Sequence, residues 1–196
     1  MNRPFPPTAL LQEPAIPLST PAATPRFGPL SDGIGDVLAE TARGLAAGIE
    51  SCLPDAAALL ALLPAAARAG SPDGYTRHLV YADPLDRFSA MLLVWRPGQA
   101  SPVHGHRTWC AYRVLQGTLR ERHYRWDADA RLARPCGGTE RRPGGVFSVP
   151  AGLRHIHSLG NEQVETADGG VAISLHIYGV APEHMATGVN LLVQAA

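Results

Sequence analysis

The sequence predicts a mainly β protein, a small antiparallel barrel or jelly roll preceded by a small helical subdomain. From residue 75 onward, short strand-like runs are separated by Gly, Pro and Asp, which typically end strands. Before residue 70, the chain is instead rich in alanine and leucine at helical spacing. Several short strands after two helices indicate a single core closed by sheets, with the helices packed against it.

The N-terminal third is expected to contain an arm and two helices. The first 30 residues are rich in proline, which fixes φ and lacks an N–H donor, so they predict an extended arm. Helical spacing predicts a first helix from Asp36 to Cys52 and a second from Asp55 to Ala69, kinked or split at Pro64. The expected organisation is an arm, residues 1–30, and one domain, residues 31–196, made of a helical lead-in at 31–70 and a β-barrel at 71–196.

The predicted strands follow in six runs: YTRHLVYAD (75–83), FSAMLLVW (88–95), AYRVLQG (111–117), TLRERHYRW (118–126), GVFSVPAG (145–152) and VAISLHIYGV (171–180). A tight hairpin is expected at Gly117. In the fourth run, His123 is expected to face solvent.

Composition excludes several classes of protein. Lys plus Arg and Asp plus Glu both number 17, which gives no electrostatic basis for binding nucleic acid or an anionic membrane. No apolar run is long enough to span a bilayer, and the N-terminus lacks the pattern of a signal peptide. Three cysteines without a CxxC pair are typical of a reduced protein, so a cytoplasmic location is expected. The oligomeric state is not indicated.

The segment VHGHRTWCAYRVLQG carries the strongest chemical signal. His104 and His106 are two residues apart, so on a strand their side chains point to the same side, about 7 Å apart in Cα. Cys110 has the same parity. An HxH pair on an exposed strand face would be unremarkable, but inside a narrow barrel it predicts a metal site.

The spacing of this segment resembles the first motif of the cupin superfamily, which has a glutamate ligand where this chain has Cys110. Gly144, Pro150 and Gly152 resemble the opening of the second motif. The third histidine is then either His155 or His157, and the general cupin pattern leaves both open.

The chain further resembles the thiol dioxygenases, in particular the cysteine dioxygenase family of cupins. Four segments carry the resemblance: YTRHLV (75–80), VHGHRTWCAYRVLQG (103–117), HSLGN (157–161) and SLHIY (174–178). It implies a cupin jelly-roll barrel with Fe(II) as cofactor, a small thiol carboxylate and O2 as substrates, and a sulfinic acid as product. It also favours His157 over His155 as the third ligand beside His104 and His106.

The resemblance assigns further roles. Arg77 is expected to bind the substrate carboxylate through its planar donor fork, with Tyr75 assisting from the same strand face. Three neutral imidazoles leave the full double charge on the ion, which favours an anionic thiolate. L-cysteine is the leading substrate, followed by 3-mercaptopropionate and mercaptosuccinate. Gly105 departs from the Asp that many members have between the two histidines. Cys110 comes one residue sooner after His106 than in animal members, and RTWC resembles a bacterial branch that acts on other mercapto acids, which leaves the substrate open.

The SLHIY segment places Ser174, His176 and Tyr178 on one strand face. His176 is expected to orient the Tyr178 hydroxyl toward the ligands of the metal, although it could instead be a core histidine or a fourth ligand. Cys110 has three interpretations: a metal ligand, a small buried apolar residue, or, as the family implies, the partner of Tyr178 in a thioether.

Two other functions are compatible with the histidine pattern. A cupin sugar isomerase or epimerase would use Zn, Mn or Ni, but the missing carboxylate ligand argues against it. A non-catalytic cupin sensor needs only the histidines. It leaves Arg77 and the aligned residues Ser174, His176 and Tyr178 unexplained.

Overall fold

The computed structural model describes residues 28–164, 170–185 and 188–196. The helical part contains α1 (Gly28–Cys52), α2 (Ala56–Ala61) and a 3-10 helix (Ala65–Ala69). Pro64 separates the last two, as its fixed φ and missing donor predict. Helix α1 begins eight residues before the predicted start. Residues 1–27 of the predicted arm lie outside the described residues, and the prediction of an extended arm is wrong for residues 28–30, which belong to α1.

A strand residue contacts the N-terminal part of α1. Glycine lowers helix stability by only about 1 kcal/mol, so Gly33 and Gly35 weaken this turn without ending it. The Arg154 guanidinium packs against Gly35, within 2.9 Å of the position that a Cβ would occupy, and forms an ion pair with Asp36. The glycine therefore allows a strand residue to anchor the helix.

The strands form two five-stranded antiparallel sheets. The ten strands are β1 (Thr76–Ala82), β2 (Ser89–Trp95), β3 (His104–His106), β4 (Cys110–Gln116), β5 (Leu119–Asp127), β6 (Leu132–Arg141), β7 (Phe147–Val149), β8 (Gly152–Gly160), β9 (Ala172–Tyr178) and β10 (Asn190–Leu192). The sheet orders are β1-β2-β9-β4-β7 and β10-β3-β8-β5-β6. This arrangement confirms the prediction of a mainly β barrel with N-terminal helices.

The first sheet is covered on both faces. Strand β9 is buried at every residue, so its side chains alternate between two cores. Ile173, Leu175 and Ile177 pack under α2 with Leu59 and Leu63. The opposite face of β9 turns into the barrel, which places its polar residues in the interior.

The tight hairpin predicted at Gly117 is wrong, because β4 pairs with β7 and β9 while β5 pairs with β6 and β8 in the other sheet. Gly117, whose φ is 71°, instead turns the chain from one sheet to the other. The backbone of Ala172 lies 2.9 Å from the position of a Cβ there, so both the conformation and the space require glycine. Within the described residues, the structure contains no helix long and apolar enough to cross a membrane.

Candidate metal centre and its cavity

Three histidine side chains meet inside the barrel. His104 and His106 lie on β3, and His157 lies on β8 opposite His104 in the antiparallel register. All three are buried, their ring centroids are 4.8–5.1 Å apart, and their ligand nitrogens lie within 4.8 Å of one another. Imidazoles that converge from two strands on one buried point are a typical metal-binding arrangement.

The protonation of these rings suits a cation. Burial, followed by the charge of His157, lowers the pKa of His104 to about 4. Burial also lowers the pKa of His106 and of His157. The rings are therefore neutral at pH 7, as metal ligation requires.

Hydrogen bonds orient two of the rings. His104 Nδ1 lies 2.8 Å from the Pro102 carbonyl, and His157 Nδ1 lies 2.7 Å from Glu121 Oε1. Each bond fixes the tautomer with the proton on Nδ1 and leaves the lone pair of Nε2 free to bind a metal ion. Among the described residues, no carboxylate or thiol joins the three ligand nitrogens. The site therefore fits a divalent ion bound by three neutral nitrogens.

His155 lies outside this cluster. It is two residues from His157 on β8, and its Nε2 lies 3.2 Å from Glu121 Oε1. His123, which was expected to face solvent, is only 28% exposed, and its Nε2 lies 3.1 Å from Glu121 Oε2. The structure thus brings His157, and not His155, together with His104 and His106.

Glu121 is the centre of a network that sequence reasoning missed. Its carboxylate is fully buried on β5 and accepts hydrogen bonds from the Tyr112 hydroxyl at 2.9 Å and from Arg141 Nε at 2.7 Å, besides the bond from His157. Burial alone would raise the pKa of Glu121, but hydrogen bonds from His155 and His157 hold this pKa well below its usual range. Glu121 is therefore an anion that orients His157.

Glu121, His123 and His155 also have the ligand types of a second cation site. The charge balance argues against that interpretation. The Arg141 guanidinium already neutralises Glu121, so a divalent ion there would place two uncompensated charges beside a cation and near the three-histidine centre. We therefore interpret the cluster as a hydrogen-bond network that supports His157.

A second polar row crosses the barrel from Trp95 to Tyr178. Trp95 Nε1 donates to Ser174 Oγ at 2.9 Å, Ser174 Oγ lies 3.0 Å from His176 Nε2, and His176 Nδ1 lies 3.3 Å from the Tyr178 hydroxyl. The row of Ser174, His176 and Tyr178 follows the predicted strand alternation. Trp95 was not predicted to belong to it.

The His176 ring joins the two hydroxyl groups of this row. Burial lowers the pKa of His176 to about 3, so the ring is neutral and carries one N–H. The ring therefore donates a hydrogen bond to one of the two hydroxyl groups, that of Ser174 or that of Tyr178, and accepts one from the other.

Cys110 is the cross-strand neighbour of Tyr178. It lies on β4 and is paired with Tyr178 on β9 in the antiparallel register, so the two side chains point to the same face of the sheet. Cys110 is 1% exposed, and burial raises the pKa of its thiol. Cys110 is not part of the possible metal-binding cluster, which consists of His104, His106 and His157.

The three histidines and Tyr178 line one narrow cavity, which also reaches Tyr75 and Arg77. Tyr75 stacks on Trp95, with ring centroids 4.3 Å apart. Arg77 is exposed at the cavity rim and forms no ion pair within the described parts of the chain. A guanidinium therefore faces the same space as the histidine cluster.

Comparison with known proteins agrees with the site geometry. The model of the family described as cysteine dioxygenase type I matches residues 68–185. The chain belongs to this family. The matched part includes the three histidines, Arg77 and Tyr178.

The similar proteins align with only part of this chain. Cysteine dioxygenase type 1 from Danio rerio is 33% identical over 106 residues, which cover 53% of this chain and 50% of the relative. The chain thus matches about half the length of that curated relative. Among solved structures, TT1209 from Thermus thermophilus superposes with a TM-score of 0.46 at 22% identity, covering 66% of this chain and 98% of that one. An oxalate oxidase in complex with the substrate analogue glycolate superposes with a TM-score of 0.42 at 17% identity, covering 57% of this chain and 54% of that one.

Proposed function

We propose that this family member is a non-haem Fe(II) thiol dioxygenase that converts a small mercapto carboxylic acid into its sulfinic acid. In the reaction RSH + O2 → RSO2H, sulfur loses four electrons, dioxygen gains them, and both oxygen atoms end on sulfur. L-cysteine is the leading substrate, with 3-mercaptopropionate and mercaptosuccinate as rivals. One observation carries the proposal: among the described residues, three neutral imidazoles without a carboxylate share a cavity with an arginine outside any ion pair and a tyrosine hydroxyl.

His104, His106 and His157 would hold the metal. Because these ligands are neutral, the ion would keep its double charge, which favours binding of an anionic thiolate and allows chemistry with dioxygen. Glu121 supports this role through the hydrogen bond that fixes the His157 ring.

Arg77 and Tyr75 would bind the substrate carboxylate. Arg77 offers two parallel N–H donors to a carboxylate and has no competing acidic partner among the described residues. Tyr75 is held by stacking on Trp95, so its hydroxyl adds a donor on the same strand face. Thiols that lack a carboxylate would lose this contact.

Tyr178 would act on the reacting end of the substrate. Its hydroxyl is oriented by His176, which is oriented in turn by Ser174. The O–H of Tyr178 would donate a hydrogen bond or a proton to oxygen as the sulfur is oxidised. His176 and Ser174 would position the tyrosine for this role.

We further propose that the Cys110 sulfur forms a thioether with the ring carbon beside the Tyr178 hydroxyl. One S–H and one C–H bond are lost, a C–S bond forms, and dioxygen accepts the two electrons and two protons. The paired positions of the two residues, which are both buried in the same core, support this step. An intact-mass loss of about two hydrogens, located in a peptide pair containing residues 110 and 178, would demonstrate it. Two unlinked peptides after long aerobic turnover would refute it.

We also propose a cytoplasmic location. Cys52, Cys110 and Cys136 are all free, as expected in a reducing compartment.

Oxygen consumption tests the proposed function directly. Iron-loaded protein is supplied in an oxygen electrode with L-cysteine, 3-mercaptopropionate, mercaptosuccinate and cysteamine, with metal-free protein and a His104→Ala variant as controls. We expect uptake with at least one carboxylated thiol and little with either control. Absence of uptake with every thiol, despite bound Fe(II), would refute the dioxygenase and favour an isomerase or a sensor.

A further inference from the structure

Asn190 is a polar residue of the cavity whose side-chain oxygen has no partner among the described residues. It is the first residue of β10 and pairs with His106 on β3 in the antiparallel register. Paired residues on adjacent antiparallel strands point to the same face, so the Asn190 amide points into the barrel as His106 does. Asn190 lines the cavity together with Arg77 and Tyr178, although it lies beyond the family match at residues 68–185.

The Asn190 side-chain oxygen is buried and unsatisfied. Its Oδ1 is shielded from solvent and has no hydrogen-bond partner, and no other hydrogen bond of this amide occurs within the described parts of the chain. Buried polar groups in native proteins are almost always paired, so an unpaired acceptor in a binding cavity calls for a donor on the ligand.

The other polar groups of the cavity define which donor is missing. Arg77 is a donor only, and it suits the carboxylate of the substrate. The three histidines would hold the ion that takes the thiolate. A thiol carboxylate without further groups leaves the Asn190 oxygen unpaired, whereas an amino group would supply N–H donors to it.

We propose that Asn190 accepts a hydrogen bond from the amino group of an α-amino thiol carboxylate and thereby selects L-cysteine over 3-mercaptopropionate. This inference rests on the proposed function, because it concerns the substrate of the same site. Selection arises because a thiol without an amine leaves the buried acceptor unpaired, a mismatch that a cavity cannot compensate by shape.

The test compares two thiols as substrates of the wild type and of two variants of Asn190. The specificity constant kcat/KM of iron-loaded protein is measured for L-cysteine and 3-mercaptopropionate in wild type, Asn190→Ala and Asn190→Asp. The control variant is Gln194→Ala, which removes an exposed amide four residues further along the same C-terminal segment.

We expect wild type to prefer L-cysteine, and Asn190→Ala to reduce kcat/KM for L-cysteine about tenfold, equivalent to about 1.4 kcal/mol. The value for 3-mercaptopropionate should change by less than about twofold. Asn190→Asp keeps an acceptor and should keep the preference, and Gln194→Ala should match wild type. An equal loss for both thiols in Asn190→Ala, or a wild-type preference for 3-mercaptopropionate, would overturn the assignment.

Binding measured without turnover separates this inference from the proposed function. Anaerobic calorimetric titration of the metal-loaded protein gives the affinity of each thiol independently of oxygen chemistry. If no thiol supports oxygen uptake but L-cysteine binds more tightly, and Asn190→Ala removes that preference, the proposed function fails and the role of Asn190 stands. If the two thiols bind equally well to wild type, the role of Asn190 fails.

Discussion

Replacement of Glu121 by glutamine is the most informative single perturbation of the metal centre. The substitution preserves size but removes the charge of a fully buried carboxylate that accepts from His157, Tyr112 and Arg141. Glutamine offers one carbonyl acceptor and introduces an NH2 group that faces donors. At least one of the hydrogen bonds is therefore lost, and the Arg141 guanidinium loses its counter-ion.

The structure gives the expected size of the effect. The Arg141 side chain is only 17% exposed, and removing one partner of a buried ion pair costs about 3–5 kcal/mol. Loss of the partner that orients a ligating histidine typically lowers metal affinity by about 10–100-fold. We expect Glu121→Gln to show both effects, with the affinity loss measured by competition with a chromophoric chelator and the stability loss by urea denaturation.

The pH dependence provides a second signature. The pKa of Glu121 is held below its ordinary value of 4.5 in the folded protein, so its contribution to stability is present above about pH 4.5. This contribution is lost as the pH falls further, by about 1.4 kcal/mol per pH unit. The difference in stability between wild type and Glu121→Gln should therefore shrink below pH 4.5.

The matched control is Glu140→Gln on the neighbouring strand. Glu140 forms an ion pair with Arg142, but the two side chains are 49% and 75% exposed, so the pair should contribute less than about 1 kcal/mol. If Glu121→Gln resembled Glu140→Gln in both metal affinity and stability, the orienting role of Glu121 would be refuted.

Three further predictions concern the other residues of the cavity. Arg77→Ala should raise KM for carboxylated thiols by about 10–100-fold, as one lost charged hydrogen-bond pair implies, and should leave cysteamine turnover unchanged in the same oxygen assay. Tyr178→Phe should lower kcat by at least about 100-fold while thiol affinity measured by calorimetry stays within about twofold, and an unchanged kcat would refute the role of this hydroxyl. His157→Ala should abolish stoichiometric metal binding measured by plasma emission, whereas His155→Ala should retain it; the reverse result would show that the wrong histidine has been assigned.

The fold and much of the cavity could be predicted from the sequence because they depend on local patterns. The alternation in SLHIY places Ser174, His176 and Tyr178 on one face in any strand, and the structure turns that face into the barrel. The HxH pair follows the same rule. Spacing alone could not separate His155 from His157, but the segment HSLGN indicated the one that meets the pair.

The missed residues depend on long-range pairing. Glu121 lies in TLRERHYRW, where alternating charges resemble an exposed strand, yet its parity with the buried Leu119 was a usable signal that it points inward. His123 has the same parity. Asn190 could not be found in this way, because its position follows from the pairing of β10 with β3, more than 80 residues earlier in the chain.

The fate of the two oxygen atoms tests the central claim most directly. Iron-loaded protein is incubated with L-cysteine under ¹⁸O2, and the product is analysed by mass spectrometry. We predict a sulfinic acid that carries both labelled atoms, so that its mass is higher by about 4 units than that of the unlabelled product. A product with one labelled atom, a disulfide alone, or unreacted thiol would contradict the assignment of this protein as a thiol dioxygenase.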